Sequence, residues 1–139
     1  MRTAIDTNVL LALWAGEASA EKASRFLDLA MGQGALVISP IVYVEGLGNP
    51  SISEDAMNEF LESTRITVDW SLERRVWGLA ALRFEQYAKR QPTHGSGEVR
   101  RLPADFIIGA HATLHADRLV TLDQRRYRAD FPELMLVEL

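Results

Sequence analysis

Short apolar runs, each ending in a polar or acidic residue and alternating with stretches of helical spacing, constrain this chain more than any other feature. Residues 2–5 read as a buried strand and Thr7 to Trp14 as the helix that follows. Ser19 to about Met31 carries Ala20, Ala23, Leu27 and Ala30 at helical spacing and stops at Gly32 and Gly34. Ala35-Leu36-Val37-Ile38 is a second strand, after which Ser39-Pro40 opens a helix with a hydroxyl cap and proline at the first helical position. Ser53 caps another helix, with Glu54 and Asp55 in its first turn and Ile52 and Met57 at staple positions. Arg65 to Val68 is a third strand, and Ser71 is expected to cap a helix reaching about Lys89. Pro103 starts a helix to about Ala116; Leu119 to Leu122 and Leu134 to Val137 complete the strands. Gln91 to Arg101, with Pro92, Gly95 and Gly97, is the one clear loop. Strands alternating with helices predict an α/β protein, a three-layer α/β/α sandwich around a mostly parallel sheet.

In such a sheet, ligands bind beyond the carboxyl ends of the strands. Asp6 and Asp123 each terminate an apolar strand, and Asp105 lies in the first turn of its helix. Glu45 stands six residues past Ser39, roughly 8 Å along the axis, and its side chain leans back toward the helix start. The four acids are therefore expected on one rim. Singly, each has a bland explanation as a turn former, a helix cap or a surface charge. Together they form an oxygen-only donor set that suits Mg²⁺ or Mn²⁺ and phosphoryl chemistry. Asn8 and Thr121, each two residues from an acid, are candidate donors that orient the ligands.

The chain has 139 residues, a length that suits one domain spanning 1–139. Without cysteine it has neither disulfides nor thiolate metal sites. The formal net charge of −4 excludes a generally basic nucleic-acid binder. Arginines nevertheless flank the acids. Arg100 and Arg101 precede Asp105, while Arg125, Arg126 and Arg128 follow Asp123. The first two and Arg125 and Arg126 are candidate contacts to the phosphates of a polyanionic substrate, against the plainer role of solvated surface charge. The apolar stretches are too short to span a membrane, and the N-terminus leads straight into the Asp6 motif, so a cytoplasmic protein is expected.

Four segments then carry a resemblance: Ala4-Ile5-Asp6-Thr7-Asn8, the Ser39-Pro40 helix with Glu45, Pro103-Ala104-Asp105-Phe106-Ile107-Ile108, and Thr121-Leu122-Asp123-Gln124-Arg125-Arg126-Tyr127. In this order and separation they resemble the PIN domain family, and within it the VapC-type toxin nucleases of bacterial toxin–antitoxin modules. The resemblance covers almost the whole chain. It implies a metal-dependent endoribonuclease, with Asp6, Glu45, Asp105 and Asp123 as its acidic positions and Asn8 and Thr121 as its polar neighbours. It further implies Mg²⁺ or Mn²⁺ as cofactor, RNA as substrate, a homodimer and a cognate VapB-like antitoxin. Tyr127 stands where a phenylalanine is more familiar, and the Gln91–Arg101 loop is idiosyncratic.

Other readings fit less of the chain. A receiver-like domain would use Asp69 as phosphoacceptor but leaves Glu45 and Asp105 idle. A haloacid dehalogenase-type phosphatase would want an aspartate where Asn8 stands. A binding module on the same scaffold, without catalysis, is the third alternative. His111 and His115 have zinc-clip spacing, yet their angular positions set them away from Asp105, and surface or partner contact is expected. Trp14, Trp70 and Trp77, with Phe26, Phe60 and Phe84, are expected in core or dimer packing.

Overall fold

The computed structural model describes residues 1–91 and 100–139. Five strands, β1 (Arg2–Ile5), β2 (Ala35–Ile38), β3 (Ile66–Val68), β4 (Arg118–Thr121) and β5 (Leu136–Glu138), form one sheet in the order β3-β2-β1-β4-β5. Every neighbouring pair is parallel. Parallel strands need both faces covered, which is why the central strands read as unbroken apolar runs. Ala4, Ile5, Val37, Ile38, Leu119 and Val120 are all buried.

The helices are α1 (Thr7–Ala15), α2 (Ala20–Gln33), α3 (Pro40–Leu47), α4 (Glu54–Ser63), α5 (Arg74–Arg90) and α6 (Pro103–His115). From β1 the chain steps outward to β2 and β3, carrying α1 to α4. It then returns past β2 and β1 to β4, carrying α5 and α6. Right-handed crossovers in opposite directions put the two helix sets on opposite faces. Consistently, α1 packs on α2 and α3, and α5 packs on α6. The result is the expected three-layer α/β/α sandwich. The reversal of direction falls between β1 and β4, so a crevice opens beside the ends of these two strands.

Two close approaches lock the helix layers. A Cβ on Gly109 of α6 would lie 2.3 Å from the Phe131 ring, and one on Gly46 of α3 would lie 2.6 Å from the Met57 methyl. Phe131 and Met57 are fully buried. None of the described helices is long and apolar enough to cross a membrane.

Three expectations shift in detail. The fifth helix begins at Arg74 with Glu73 at its cap rather than at Ser71. Asp69, anchored to Arg2 and His111, keeps the intervening residues out of the helix. β4 starts one residue earlier than Leu119, and β5 runs Leu136–Glu138, two residues later at its start than expected. Most of the expected Gln91–Arg101 loop lies outside the described residues.

Candidate active site

At the β1–β4 crevice, a hollow of about 190 Å³ is lined by Asp6, Thr7, Asn8, Leu11, Glu45, Asp105 and Arg126. Three of the four expected acids meet there. Asp6 is the cap residue of α1, and its Oδ1 accepts the Thr7 backbone N–H at 2.7 Å. Its Oδ2 accepts the Thr121 hydroxyl at 2.7 Å. Thr121 in turn accepts the Asn8 amide at 3.3 Å and the Asp123 N–H at 3.0 Å, while Asn8 Oδ1 accepts the Leu122 N–H at 3.1 Å. Asn8 and Thr121 thus tie the ends of β1 and β4 together around one carboxylate.

Asp105 is buried in the first turn of α6 and accepts the Leu102 N–H at 2.9 Å. Arg126 stands 3.5 Å from the same Asp105 oxygen. Glu45 is the exposed member; the Thr7 hydroxyl holds its Oε1 at 2.7 Å. Its surroundings are more open than its apolar neighbours Tyr43 and Val44 implied, because the Glu45 face of α3 is turned out over the crevice.

The electrostatics differ from one acid to the next. Burial lifts the Asp6 carboxyl above its usual range against the hydrogen bonds from Thr121 and Thr7, with the Asp105 charge adding to the lift. The Tyr127 phenol beneath it is pushed well above the usual tyrosine range by burial first, then by the charges of Asp6 and Asp105. Its hydroxyl lies against Asp6 and is buried with no partner in hydrogen-bond geometry.

Asp123 does not line the hollow. It caps a single 3-10 turn, Gln124–Arg126, and its carboxylate binds the Arg125 guanidinium at 2.8 and 2.9 Å. That hydrogen bond holds the Asp123 carboxyl below the usual range. An aspartate beside an exposed arginine two residues away closes this local pair at little cost, and sequence position alone does not reveal it. Among the described residues, no three His, Asp or Glu side chains are gathered tightly enough to hold a metal ion as they stand.

The arginines also divide. Arg125 is exposed and Arg126 intermediate in exposure, at the rim beside Asp123 and Asp105. Arg100 is exposed. Arg101 departs from its expected place at the substrate. Its side chain is only 9% exposed, ion-paired with buried Asp130 at 3.2 Å and stacked 5.2 Å over the Tyr87 ring. Asp130 itself gave no signal in the sequence beyond lying in a turn.

His111 is also not a surface residue. It is buried in α6 and its Nε2 lies 2.7 Å from Asp69, which also takes two contacts of 2.7 Å from Arg2. Asp69, the phosphoacceptor of the receiver-like alternative, is thereby committed to an internal ion pair. Trp14 packs edge-on against Phe60, as expected of a core residue, while Trp70 and Trp77 are exposed on this chain and lie outside its core. A larger, more apolar groove of about 510 Å³ lies among α2, α4 and β3; of the acids only Asp28 lines it, so it lacks the chemistry of the crevice.

The model of the PIN domain matches residues 3–132. The chain belongs to the PIN domain family. No curated protein matches it. Among solved structures, this PIN domain is similar to VapBC2 from Rickettsia felis bound to a DNA fragment from their promoter (19% identity, TM-score 0.73, 99% of this chain and 98% of that one). It is similar to VapBC-1 from nontypeable Haemophilus influenzae (19% identity, TM-score 0.70, 99% and 98%) and to FitAcB from Neisseria gonorrhoeae (22% identity, TM-score 0.65, 98% and 96%). At these identities the likeness is one of fold.

Proposed function

We propose that this PIN domain is a divalent-metal-dependent endoribonuclease and the toxin of a VapBC-type pair. The observation that carries the reading is the meeting of Asp6, Glu45 and Asp105 in one hollow at the switch point. Family membership and the fold shared with VapBC2 and VapBC-1 support it.

The residues fit Mg²⁺ or Mn²⁺ by the chemistry of the donor set, which is oxygen-only, and by the desolvated Asp6 charge, which an added cation would relieve. Asp6, Asp105 and Glu45 would hold the ion, with Asp123 joining once it leaves Arg125. Such an ion supplies charge neutralisation at phosphorus and makes water more acidic.

The chain supplies the rest. Thr121 and the Thr7 N–H fix the plane of the Asp6 carboxylate, and the Leu102 N–H fixes Asp105. Glu45, held through one oxygen, orients the attacking water and takes its proton as the water oxygen bonds to phosphorus and the P–O bond to the leaving ribose oxygen breaks, that oxygen taking its proton from solvent. Arg125 and Arg126 at the rim, with exposed Arg100, position the phosphates of an RNA strand. A VapB-like antitoxin and a homodimer complete the proposal.

Cleavage of RNA by the Asp6→Asn variant tests it. Loss of Mg²⁺- or Mn²⁺-dependent cleavage is expected; cleavage that survives unaltered would overturn the assignment of the acids. The Asp123–Arg125 pair, which turns one of the four acids away from the hollow, favours one second reading, a scaffold that binds RNA or protein without catalysis. Calorimetric binding of Mn²⁺ separates the two, since the second needs none. Co-expression with a small protein encoded by the neighbouring reading frame tests the toxin assignment, the expected outcome being restored growth.

A further inference from the structure

Asp130 is a buried carboxylate that the reaction just described does not use. It lies at the far end of the turn that follows Gln124–Arg126 and is 4% exposed. Arg90 binds its Oδ1, Arg101 stands at 3.2 Å from its Oδ2 as a charge contact without hydrogen-bond geometry, and Arg83 donates to its backbone carbonyl. Of these three arginines, Arg101 alone continues toward the acids. Its Nη2 donates to the Arg125 carbonyl at 3.0 Å, and its own N–H donates to the Tyr87 hydroxyl at 3.0 Å. The next residue, Leu102, gives its N–H to Asp105, and α6 begins immediately after it.

A single guanidinium therefore spans two segments, which farther along are also joined by the packing of Phe131 on Gly109 and Phe106 of α6. One bears Asp123, Arg125 and Arg126; the other is the start of α6 with Asp105. Placement of Arg126 at 3.5 Å from Asp105 depends on that register. Burying an ion pair costs desolvation that a well-packed apolar pair would avoid, so stability alone is a poor reason for this one.

We infer that Asp130 is a positioning residue for the acidic rim. It fixes the Arg101 guanidinium, which in turn holds the Arg125–Arg126 segment against the start of α6. Arg101 thus acts on the site from behind and does not touch RNA. The inference rests on the nuclease reading for its consequence but not for its geometry.

The test compares wild type, Asp130→Asn, Arg101→Gln, Arg101→Lys and Arg90→Gln as full chains. It has two readouts, amide hydrogen exchange without metal and cleavage of a single-stranded RNA with Mn²⁺. The amides of Asp123, Arg125, Arg126 and Tyr127 are hydrogen-bonded in the structure, so loosening registers there. Exchange at residues 123–127 is expected to rise about tenfold in Asp130→Asn and in both Arg101 variants, and cleavage to fall by roughly tenfold or more, as small misplacements at a site do. Lysine should not rescue Arg101, because a point ammonium cannot bridge a carboxylate and a distant carbonyl as the planar fork does. Arg90→Gln removes an arm that does not reach the rim, and both readouts should stay near wild type.

Rescue of cleavage by Arg101→Lys would make Arg101 a simple cationic contact and overturn the inference. Equal loss in Arg90→Gln would also overturn it, by reducing Asp130 to packing. Altered exchange with no cleavage even in wild type would leave the clamp standing and remove the nuclease reading. Unaltered exchange in Arg101→Gln, with wild type cleaving, would remove the clamp alone. If Asp130→Asn does not fold, the three arginine variants decide.

Discussion

Asp6 and Asp69 each follow directly on a strand of the same parallel sheet, β1 and β3, yet they keep opposite company. Asp6 is joined in its hollow by Glu45 and Asp105, and burial raises its carboxyl above the usual range. Asp69 is joined by Arg2 and His111. Burial works to raise it too, but the hydrogen bonds from His111 and Arg2 outweigh that and hold it below the usual range. One aspartate is a charge in need of a cation. The other already has two internal partners. A strand-end position is thus only a location; the neighbours brought by other elements decide whether it is a site or a strut.

The largest expected effect is on chemistry. Asp6→Asn should lower Mn²⁺-dependent RNA cleavage by about 10³ or more, the scale of losing a group that organises the transition-state charge. Asp69→Asn should stay within a few-fold at temperatures where it is folded, and steady-state kinetics on both variants checks the contrast. Comparable losses in the two would break it.

Next in size is the response to the cation. Wild type and Asp69→Asn should gain about 2.7 kcal/mol at Mn²⁺ a hundred times its Kd, as any ligand specific to the native state gives, while Asp6→Asn gains little. Thermal melts with and without Mn²⁺ measure this. A smaller effect is on the fold itself. Asp69→Asn leaves Arg2 without its counter-charge and the buried His111 ring, which burial shifts toward its neutral form, without its carboxylate partner; it should cost about 1–3 kcal/mol in urea unfolding, discounted because Asp69 is partly exposed.

The smallest is a difference in pH dependence. A carboxyl raised in the folded state favours folding while protonated, and that contribution disappears as pH rises through its folded value. Without metal at neutral pH, Asp6→Asn should therefore be more stable than wild type, and the gap should shrink on acidification as Asp6 takes up its proton. Asp69 has the opposite sign. Its lowered carboxyl contributes above the unfolded value and loses that contribution as pH falls, so the cost of Asp69→Asn also shrinks toward acid. Melts across pH 3–7, roughly the carboxylate range and above, would read both slopes.

Much of this was legible in the chain. The apolar runs at 2–5, 35–38 and 119–122 fix central strands because a parallel sheet buries both faces, and Ser39-Pro40 and Pro103 mark helix starts by cap chemistry. Asp6, Glu45 and Asp105 could be assigned to one rim, since parallel strands and the helices after them share an edge. His111 and Asp69 could not be paired that way. They stand 42 residues apart, and their contact depends on how α6 lies over the turn after β3. Ser71 looked like a cap for the same reason, because nothing local reports that Asp69 is pinned.

The sequence by itself determined the alternation and the parallel sheet and set Asp6, Glu45 and Asp105 at one edge, because these follow from local periodicity and from the direction of the strands; it set Asp123 there too, and that carboxylate does not line the hollow. Only the tertiary structure decided each charge's partner. Asp123 turned to Arg125, Arg101 went inward to Asp130, and Asp6 was left desolvated between Thr121 and Tyr127. Charge pairing acts over a few ångströms between segments tens of residues apart, and that distance is set by packing.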